Sequence, residues 1–508
     1  MNVNKKILNL DDLSKKIKQS YKGKKIGLCH GVFDLLHIGH IKHFEEARKN
    51  CDLLIASVTK DRFVEKGPGR PAFHDYQRME VLASLEFIDY VILSEEVSSI
   101  NVINKIKPNI YFKGPDYKNT KADLTKNILL ENKAVIKNKG KFFITRSKKY
   151  SSSFLLNSFS GILTEEQKDL VNKIKKKFTF QKIKNIINDL KKVVPLIVGE
   201  IIIDQYFFCE GLGKSGKEPM LVLRDKYNET YLGGAGAISN NASAFCKNIY
   251  LLSIVGEKKE YLNFIIKNLS KNIKYNFLSK KDSPTIIKKR FLDDITKSKL
   301  LGVYSLEDSF VSKKEEKDLI NLFYNYLKKS DLTILSDYGH GMITRNFSNI
   351  IKKKSKFLAV NVQINAANIG YHTLENYTEV DFMIINEAEI RHEMRSKNGN
   401  IYDLAKSLAR NFKIKYLVIT RGSSGSLLYH KDKDFFYTSS AFAKLILDKV
   451  GAGDAMLSLL SICLYKKIDI DLTLLISSLA AAQSVRTIGN KFSISKIILL
   501  KELEHILS

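Results

Sequence analysis

Two series of short apolar runs, each alternating with helix-length segments, limit this chain to layered α/β folds. In the first series, residues 25–29, 53–58, 90–93, 110–112 and 141–144 read as strands. Helical patterns cover 11–20, 38–49 and 77–85. The second series opens at 193–203 and continues at 331–336, 357–362, 381–385 and 415–420. Continuous apolar runs of this length, separated by helical stretches, predict buried parallel strands with crossover helices. Residues 207–232 and 282–304 alternate and turn instead, predicting a small sheet laid over the larger one. From Gly453 onward the pattern is mostly helical. A chain of 508 residues exceeds one ordinary core. The expectation is therefore α/β, with two doubly wound parallel-sheet domains, over 1–158 and 193–508. Thr164-Glu165-Glu166-Gln167 has capping-box spacing and opens a Lys-rich helix. Residues 159–192 read as a helical connector, or equally as the first helices of the second domain.

The formal charge of +29 raises the question of nucleic acid. The lysines are spread throughout, as at 175–177, 191–192 and 352–354, with no basic stripe interleaved with aromatics. That pattern predicts a solvated Lys-rich surface that favours phosphorylated substrates, with no nucleic-acid partner. The five cysteines are scattered without a CxxC pair, so neither a zinc site nor a disulfide framework is expected. The first residues hold no apolar signal core and no run reaches membrane-spanning length, so a cytoplasmic setting is expected.

Residues 31–40 read GVFDLLHIGH, between a strand and a helix. Ligands of open α/β sheets bind beyond the carboxyl ends of the strands. From Gly31 onward, backbone amides would approach a triphosphate, and the helix beginning near Gly39 would aim its positive end at it. His37 and His40, two residues apart, would both reach phosphate oxygens and stabilise charge growing at the α-phosphate. With the stretches GRPAFHDYQRMEVLASLEFIDYV, KPNIYFKGPDY and YSSSFLLN, residues 24–158 resemble the cytidylyltransferase-like nucleotidylyltransferases, most closely the heptose-1-phosphate adenylyltransferase branch. The resemblance implies a Rossmann-like domain in which His37 and His40 contact the nucleotide phosphates. It also implies nucleotide-binding roles for Gly31, Phe33, Asp34, Gly39, Arg78, Lys113, Ser151, Ser152 and Ser153. Pro115 stands where that branch usually has Gly, which bears on the sugar contacts rather than on nucleotide transfer.

Residues 451–454, Gly-Ala-Gly-Asp, open a long apolar helix. Gly451 and Gly453 permit a tight turn whose amides, with Ala452, form an anion hole at the helix start. Such a hole would hold a γ-phosphoryl group, while Asp454 accepts the proton of an attacking hydroxyl. With VGEIIIDQYFF, LGGAGAISNNASAF, SPTIIKKRFL, ILSDYGHGMIT, INEAEI and LVITRGSSG, residues 193–505 resemble ribokinase-like (PfkB) carbohydrate kinases, again the heptose-phosphate branch. The resemblance implies a ribokinase-like domain with a small β lid. Asp204, Gly233, Gly234, Asn241 and Asp337 would meet the sugar. Thr420, Arg421 and Gly422 would lie near the ATP phosphates, and Asn386 and Glu389 would organise Mg²⁺ and its water. Ala237 replaces an Asn ligand of that branch, and Asn361-Val362-Gln363 replaces its Asp-Pro-Lys. The order of the domains is also the reverse of that in the familiar bifunctional heptose enzymes.

Together the resemblances imply a bifunctional sugar-activating enzyme. One domain would phosphorylate C1 of a sugar phosphate, such as heptose 7-phosphate, with ATP. The other would join a sugar 1-phosphate to a nucleotide, giving ADP-heptose for lipopolysaccharide, with CTP as the alternative nucleotide. Two other readings remain open: a silent kinase-like module regulating the transferase, and an activated sugar or polyol other than heptose. A homodimer is in keeping with both families.

Overall fold

The computed structural model describes residues 3–67, 69–115, 127–146, 163–365 and 367–507. Ser151, Ser152 and Ser153 lie outside the described residues. The chain divides into two compact units, one of residues 1–164 with 500–508 and one of residues 165–499. This division differs from the sequence-based one at the connector helices, which join the second unit, and at the last nine residues, which join the first.

In the first unit, β1 (Ile26–Gly31), β2 (Leu53–Thr59), β3 (Tyr90–Ser94), β4 (Ile110–Lys113) and β5 (Lys141–Ile144) form one parallel sheet in the order β3-β2-β1-β4-β5. Every residue of β2 is buried, as a strand covered on both faces requires. The helices are α1 (Leu10–Ser20), α2 (Ile38–Arg48), α3 (Asp75–Ala83), α4 (Ile100–Ile106) and α5 (Asn127–Lys137). Leu13 and Ile17 turn the apolar stripe of α1 onto one core cluster, and Phe44 and Ala47 turn α2 onto another. Strand order reverses between β1 and β4, so the crevice beyond their carboxyl ends is the natural ligand site.

The second unit begins with α6 (Glu165–Lys177) and α7 (Phe180–Asp189). Its strands are β6 (Pro195–Gly199), β7 (Ile201–Lys214), β8 (Leu221–Gly234), β9 (Ile249–Gly256), β10 (Ile273–Lys280), β11 (Ile287–Asp293), β12 (Lys299–Ser305), β13 (Leu332–Asp337), β14 (Leu358–Val362), β15 (Phe382–Asn386), β16 (Tyr416–Thr420), β17 (Ser426–His430) and β18 (Phe435–Ser439). Nine of them run in the order β10-β9-β6-β13-β14-β15-β16-β17-β18, parallel as far as β16 and antiparallel beyond it. The remaining four form the small sheet, ordered β12-β11-β7-β8. In the large sheet the order reverses between β6 and β13.

The run expected as one strand over 193–203 is two. Gly199 packs so tightly on the Ser336 backbone that no side chain fits there. The next residue, Glu200, is fully buried. It turns its carboxylate to the amides of Tyr338, His340 and Met342, at 3.1, 3.3 and 3.4 Å. The chain then leaves the large sheet for the small one. Among the described residues all five cysteines are free, and no helix is long and apolar enough to cross a membrane.

Candidate active sites

The loop after β1 delivers the two histidines to the start of α2. His37 is the N-cap residue, and its Nδ1 accepts the Gly39 amide at 3.1 Å. An accepting Nδ1 leaves the proton of the neutral ring on Nε2. The rings of His37 and His40 stack, with centroids 4.0 Å apart. Burial, and then the neighbouring His37, Lys66 and His43, lower His40 to about 3, so it is neutral at pH 7. Its Nδ1 is buried without a hydrogen-bond partner. An unpaired polar atom of this kind is costly unless a ligand completes it. Phe33 adopts a left-handed conformation, φ 51°, and packs its ring on His40 and Phe44. A Cβ at Gly31 would press on that ring at 3.0–3.3 Å.

Two residues that the resemblance gives to the nucleotide bind the protein itself. Asp34, almost wholly buried, accepts from Arg70 Nη1 at 2.7 Å and from the amides of Ala72 and Phe73 at 2.7 and 3.2 Å. The Arg78 guanidinium donates to the carbonyls of Phe73 (3.0 Å), Thr59 (2.8 Å) and Val32, and to Asp61 Oδ1 at 2.6 Å. These bonds tie the loops after β1 and β2 to residues 70–73. Asp34 and Arg78 thus shape the crevice wall.

Lys113, at the end of β4, pairs with buried Glu131 of α5 at 3.2 Å. Burial alone would raise the Glu131 carboxyl. Lys113, His30 and Ser99 outweigh it and hold the group at about 2. Tyr111 donates to Glu131 at 3.0 Å and meets Ser99 Oγ at 2.6 Å. Sequence reasoning named Lys113 but missed the cluster around it. Its one signal was a charged residue on the buried stripe Ile128, Glu131, Ala134, Val135 of a helix.

In the second unit, Gly451 is the N-cap residue of the helix Ala452–Tyr465. It has φ 88°, and a Cβ there would collide with the Asn490 side chain and press on Ser484 Oγ at 3.1 Å. Gly453 faces open space. Gly451→Ala combines positive-φ strain with a steric clash, each costing about 1–3 kcal/mol. The variant should be less stable by that amount, read as a lower denaturation midpoint of the full chain.

Asp454 sits in the first turn of that helix, half-buried, and accepts the Tyr338 hydroxyl at 3.0 Å. Loss of water around it pushes its carboxyl up to about 7, with Asp204 adding to the rise and Tyr338 and Lys288 opposing it. Asp204 is buried and paired with Arg290. A side chain at Gly233 would strike the Asp204 carboxylate, and one at Gly234 the Glu200 carbonyl. The di-glycine therefore serves close packing of β7 and β8 beside Asp204. The buried ammonium of Lys288 faces the rings of Tyr304 and Tyr338 at 5.5 and 5.8 Å.

Other expected ligands bind the protein. Asn241 Oδ1 accepts the Ile494 amide at 3.1 Å. Asp337 is buried, accepts the Gly339 amide at 2.9 Å and pairs with the Tyr377 hydroxyl. Asn386 and Thr420 end adjacent strands at the same level. Asn386 and Glu389 bond reciprocally, at 2.7 and 2.8 Å, to start the helix that follows β15. Burial raises Glu389 to about 7. Arg421 Nε donates to Glu387 at 3.1 Å, and Gly422, φ 56°, opens onto free space. Sequence reasoning also missed Asp448. Its carboxylate receives Lys299 at 2.6 Å, Tyr206 at 2.8 Å and the amides of Gly489 and Val450 at 3.1 and 3.2 Å. Among the described residues no group of three His, Cys, Asp or Glu side chains could hold a metal directly.

Comparison with known proteins bears on both units. Residues 195–497 match the family model described as pfkB family carbohydrate kinase, and residues 28–157 that described as cytidylyltransferase-like. The cytidylyltransferase-like segment therefore precedes the kinase segment, the order expected from the motifs. The chain is 27% identical over 298 residues to the Bifunctional protein HldE of Campylobacter jejuni (strain RM1221), covering 58% of this chain and 61% of that one. It is 43% identical over 115 residues to the Bifunctional protein HldE of Methylobacillus flagellatus, covering 22% and 24%. The matched stretches thus span less than two thirds of either relative's length. The crystal structure of phosphofructokinase-2 from Escherichia coli in complex with potassium superposes with a TM-score of 0.50 at 13% identity, covering 62% of this chain and 99% of that one. At that identity the likeness is one of fold.

Proposed function

The chain belongs to the pfkB family of carbohydrate kinases, and on that premise we propose that it is a bifunctional sugar-activating enzyme. The observation that carries the reading is the pairing of two helix starts in one chain. One presents the stacked histidines 37 and 40, the other the recessed Asp454. In the kinase step Asp454 takes the proton of the acceptor's C1 hydroxyl. The resulting oxygen attacks the γ-phosphorus of ATP, and ADP leaves. Amides of 451–453 receive the transferred group's oxygens. In the transferase step a sugar 1-phosphate oxygen attacks the α-phosphorus of ATP, or of CTP, and pyrophosphate leaves. His37 and His40 donate to the phosphate oxygens as charge develops there.

The resemblance of both motif sets to the heptose-phosphate branches favours heptose 7-phosphate as acceptor and ADP-heptose, a lipopolysaccharide precursor, as final product. A separate phosphatase would have to remove the 7-phosphate between the two steps. The functional division follows the sequence: transfer from 1–158, phosphorylation from 193–508, with 159–192 between. Both Glu389 oxygens accept backbone amides yet keep further lone pairs. That donor set fits Mg²⁺ held through water and the triphosphate, where the ion would offset phosphate charge. We place the enzyme in the cytoplasm, as a homodimer acting on free sugar phosphates, without nucleic-acid or membrane partners.

A second reading, a silent sugar-binding module that regulates the transferase, draws on the acceptor side. Ala237 offers no hydrogen bond there, and Asn241 is engaged by Ile494. Product mass spectrometry separates the readings. With ATP or CTP and a panel of sugar phosphates, the enzyme should give a bisphosphate plus ADP, and a nucleotide sugar plus pyrophosphate from the 1-phosphate. Nucleotide sugar without bisphosphate selects the silent module. Neither product with any acceptor rejects both.

A further inference from the structure

We propose that Tyr338 is a positioning residue for phosphoryl transfer: its hydroxyl fixes Oδ1 of Asp454, so the acceptor's proton passes to Oδ2, and Glu200 holds Tyr338 in that pose. This rests on the kinase reading above. Glu200 and Tyr338 directly follow β6 and β13, the two strands at which the large sheet reverses its order. The backbone of Tyr338 is held from both sides. Its amide donates to Glu200 Oε2 at 3.1 Å, and its carbonyl accepts Asn365 Nδ2 at 2.8 Å and Asn368 Nδ2 at 3.0 Å. Glu200 Oε1 also gathers the amides of His340 and Met342. Gly339 and Gly341, with φ 70° and 85°, let the chain curl around that carboxylate. So many bonds on one turn fix the direction of a single ring, which is itself buried.

What the ring does is set by its one hydroxyl. A phenol donating to a carboxylate favours the ionised form. Asp454 needs that help. Burial and the Asp204 carboxylate both disfavour its charge, and Tyr338 and Lys288 of β11 favour it. Arg290, the other cation at this wall, is paired with Asp204. Tyr338 therefore keeps a recessed carboxyl available as a base near neutral pH and leaves its second oxygen free.

The test compares pH profiles of kinase kcat/KM for the full chain, Tyr338→Phe and Glu200→Gln. Phe retains the buried ring and removes only the donor. A hydrogen bond to a charged group is worth about 1.5–3 kcal/mol, so the acid limb should move up by about one pH unit or more. At pH 7 the rate should fall about tenfold and recover as pH rises, with KM for ATP unchanged. Glu200→Gln keeps the hydroxyl but loosens its turn, so the limb should move the same way by less. A uniform loss at every pH, or an unmoved limb in both variants, overturns the inference while leaving the kinase reading intact. An unmodified chain that releases no ADP with any acceptor removes the kinase reading itself, and the inference with it.

Discussion

Asp454→Asn should lower sugar phosphorylation by about 10²–10⁴-fold, the usual worth of a positioned general base, and leave nucleotidyl transfer unchanged. Asn has the shape of Asp, and its amide oxygen can still accept the Tyr338 hydroxyl that now reaches Asp454 at 3.0 Å. The helix start at 451–454 should therefore survive, and with it the anion hole. What disappears is the ability to take a proton. The unmodified enzyme should show the complementary behaviour. With the Asp454 carboxyl pushed up to about 7, activity should climb as pH rises through neutrality, because only the ionised form accepts a proton. The variant should lose that rise. Coupled ADP release measures the first activity and pyrophosphate release the second. If ADP release is undiminished, another group is the base.

Much of the architecture was legible because buried parallel strands leave a plain signal. The run 141–144 is a strand with those same bounds, and 53–58 differs from its strand by one residue. Helix bounds were less clear. The one expected over 77–85 starts at Asp75, since Gln77 reaches back to the His74 amide at 3.0 Å, and histidine is not a usual cap. The strand expected over 193–203 is divided because a buried carboxylate serves a loop more than a hundred residues away. Pattern reading has no access to such a partner. The same reason separates the site residues. His37, His40 and Asp454 belong to helix starts whose motif spacing alone constrains them. Asp34, Arg78, Asn241 and Asp337 belong to equally telling motifs, yet their polar atoms hold neighbouring loops. A motif marks where a site is built without saying which of its members face the ligand. Glu200, Asp448 and Glu131 show the converse, being charged groups whose partners become visible only once the sheets are assembled.

The second large effect is expected at the other helix start. His40→Ala should reduce nucleotidyl transfer by about 10²–10³-fold, the cost of losing one preorganised donor to a developing oxyanion. The kinase reaction should be unchanged. His40 is the cleaner of the two histidines to replace, because it does not cap the helix and its buried Nδ1 has no partner to lose. His37 has a second task, accepting the Gly39 amide, so His37→Ala would also cost about 1 kcal/mol of helix capping. His37→Asn keeps an acceptor for that amide and isolates the phosphate contact. Since His40 is neutral at pH 7, its contribution should come from a hydrogen bond rather than a resident positive charge. Raising ionic strength should then weaken transfer no more steeply in the unmodified enzyme than in the variant. Pyrophosphate release at saturating nucleotide reads the chemical step, and nucleotide titration at fixed sugar phosphate reads binding. A donor to the transition state lowers kcat more than it raises KM. A loss confined to KM would place His40 in ground-state binding. Full retention of both would remove the stacked pair from the reaction.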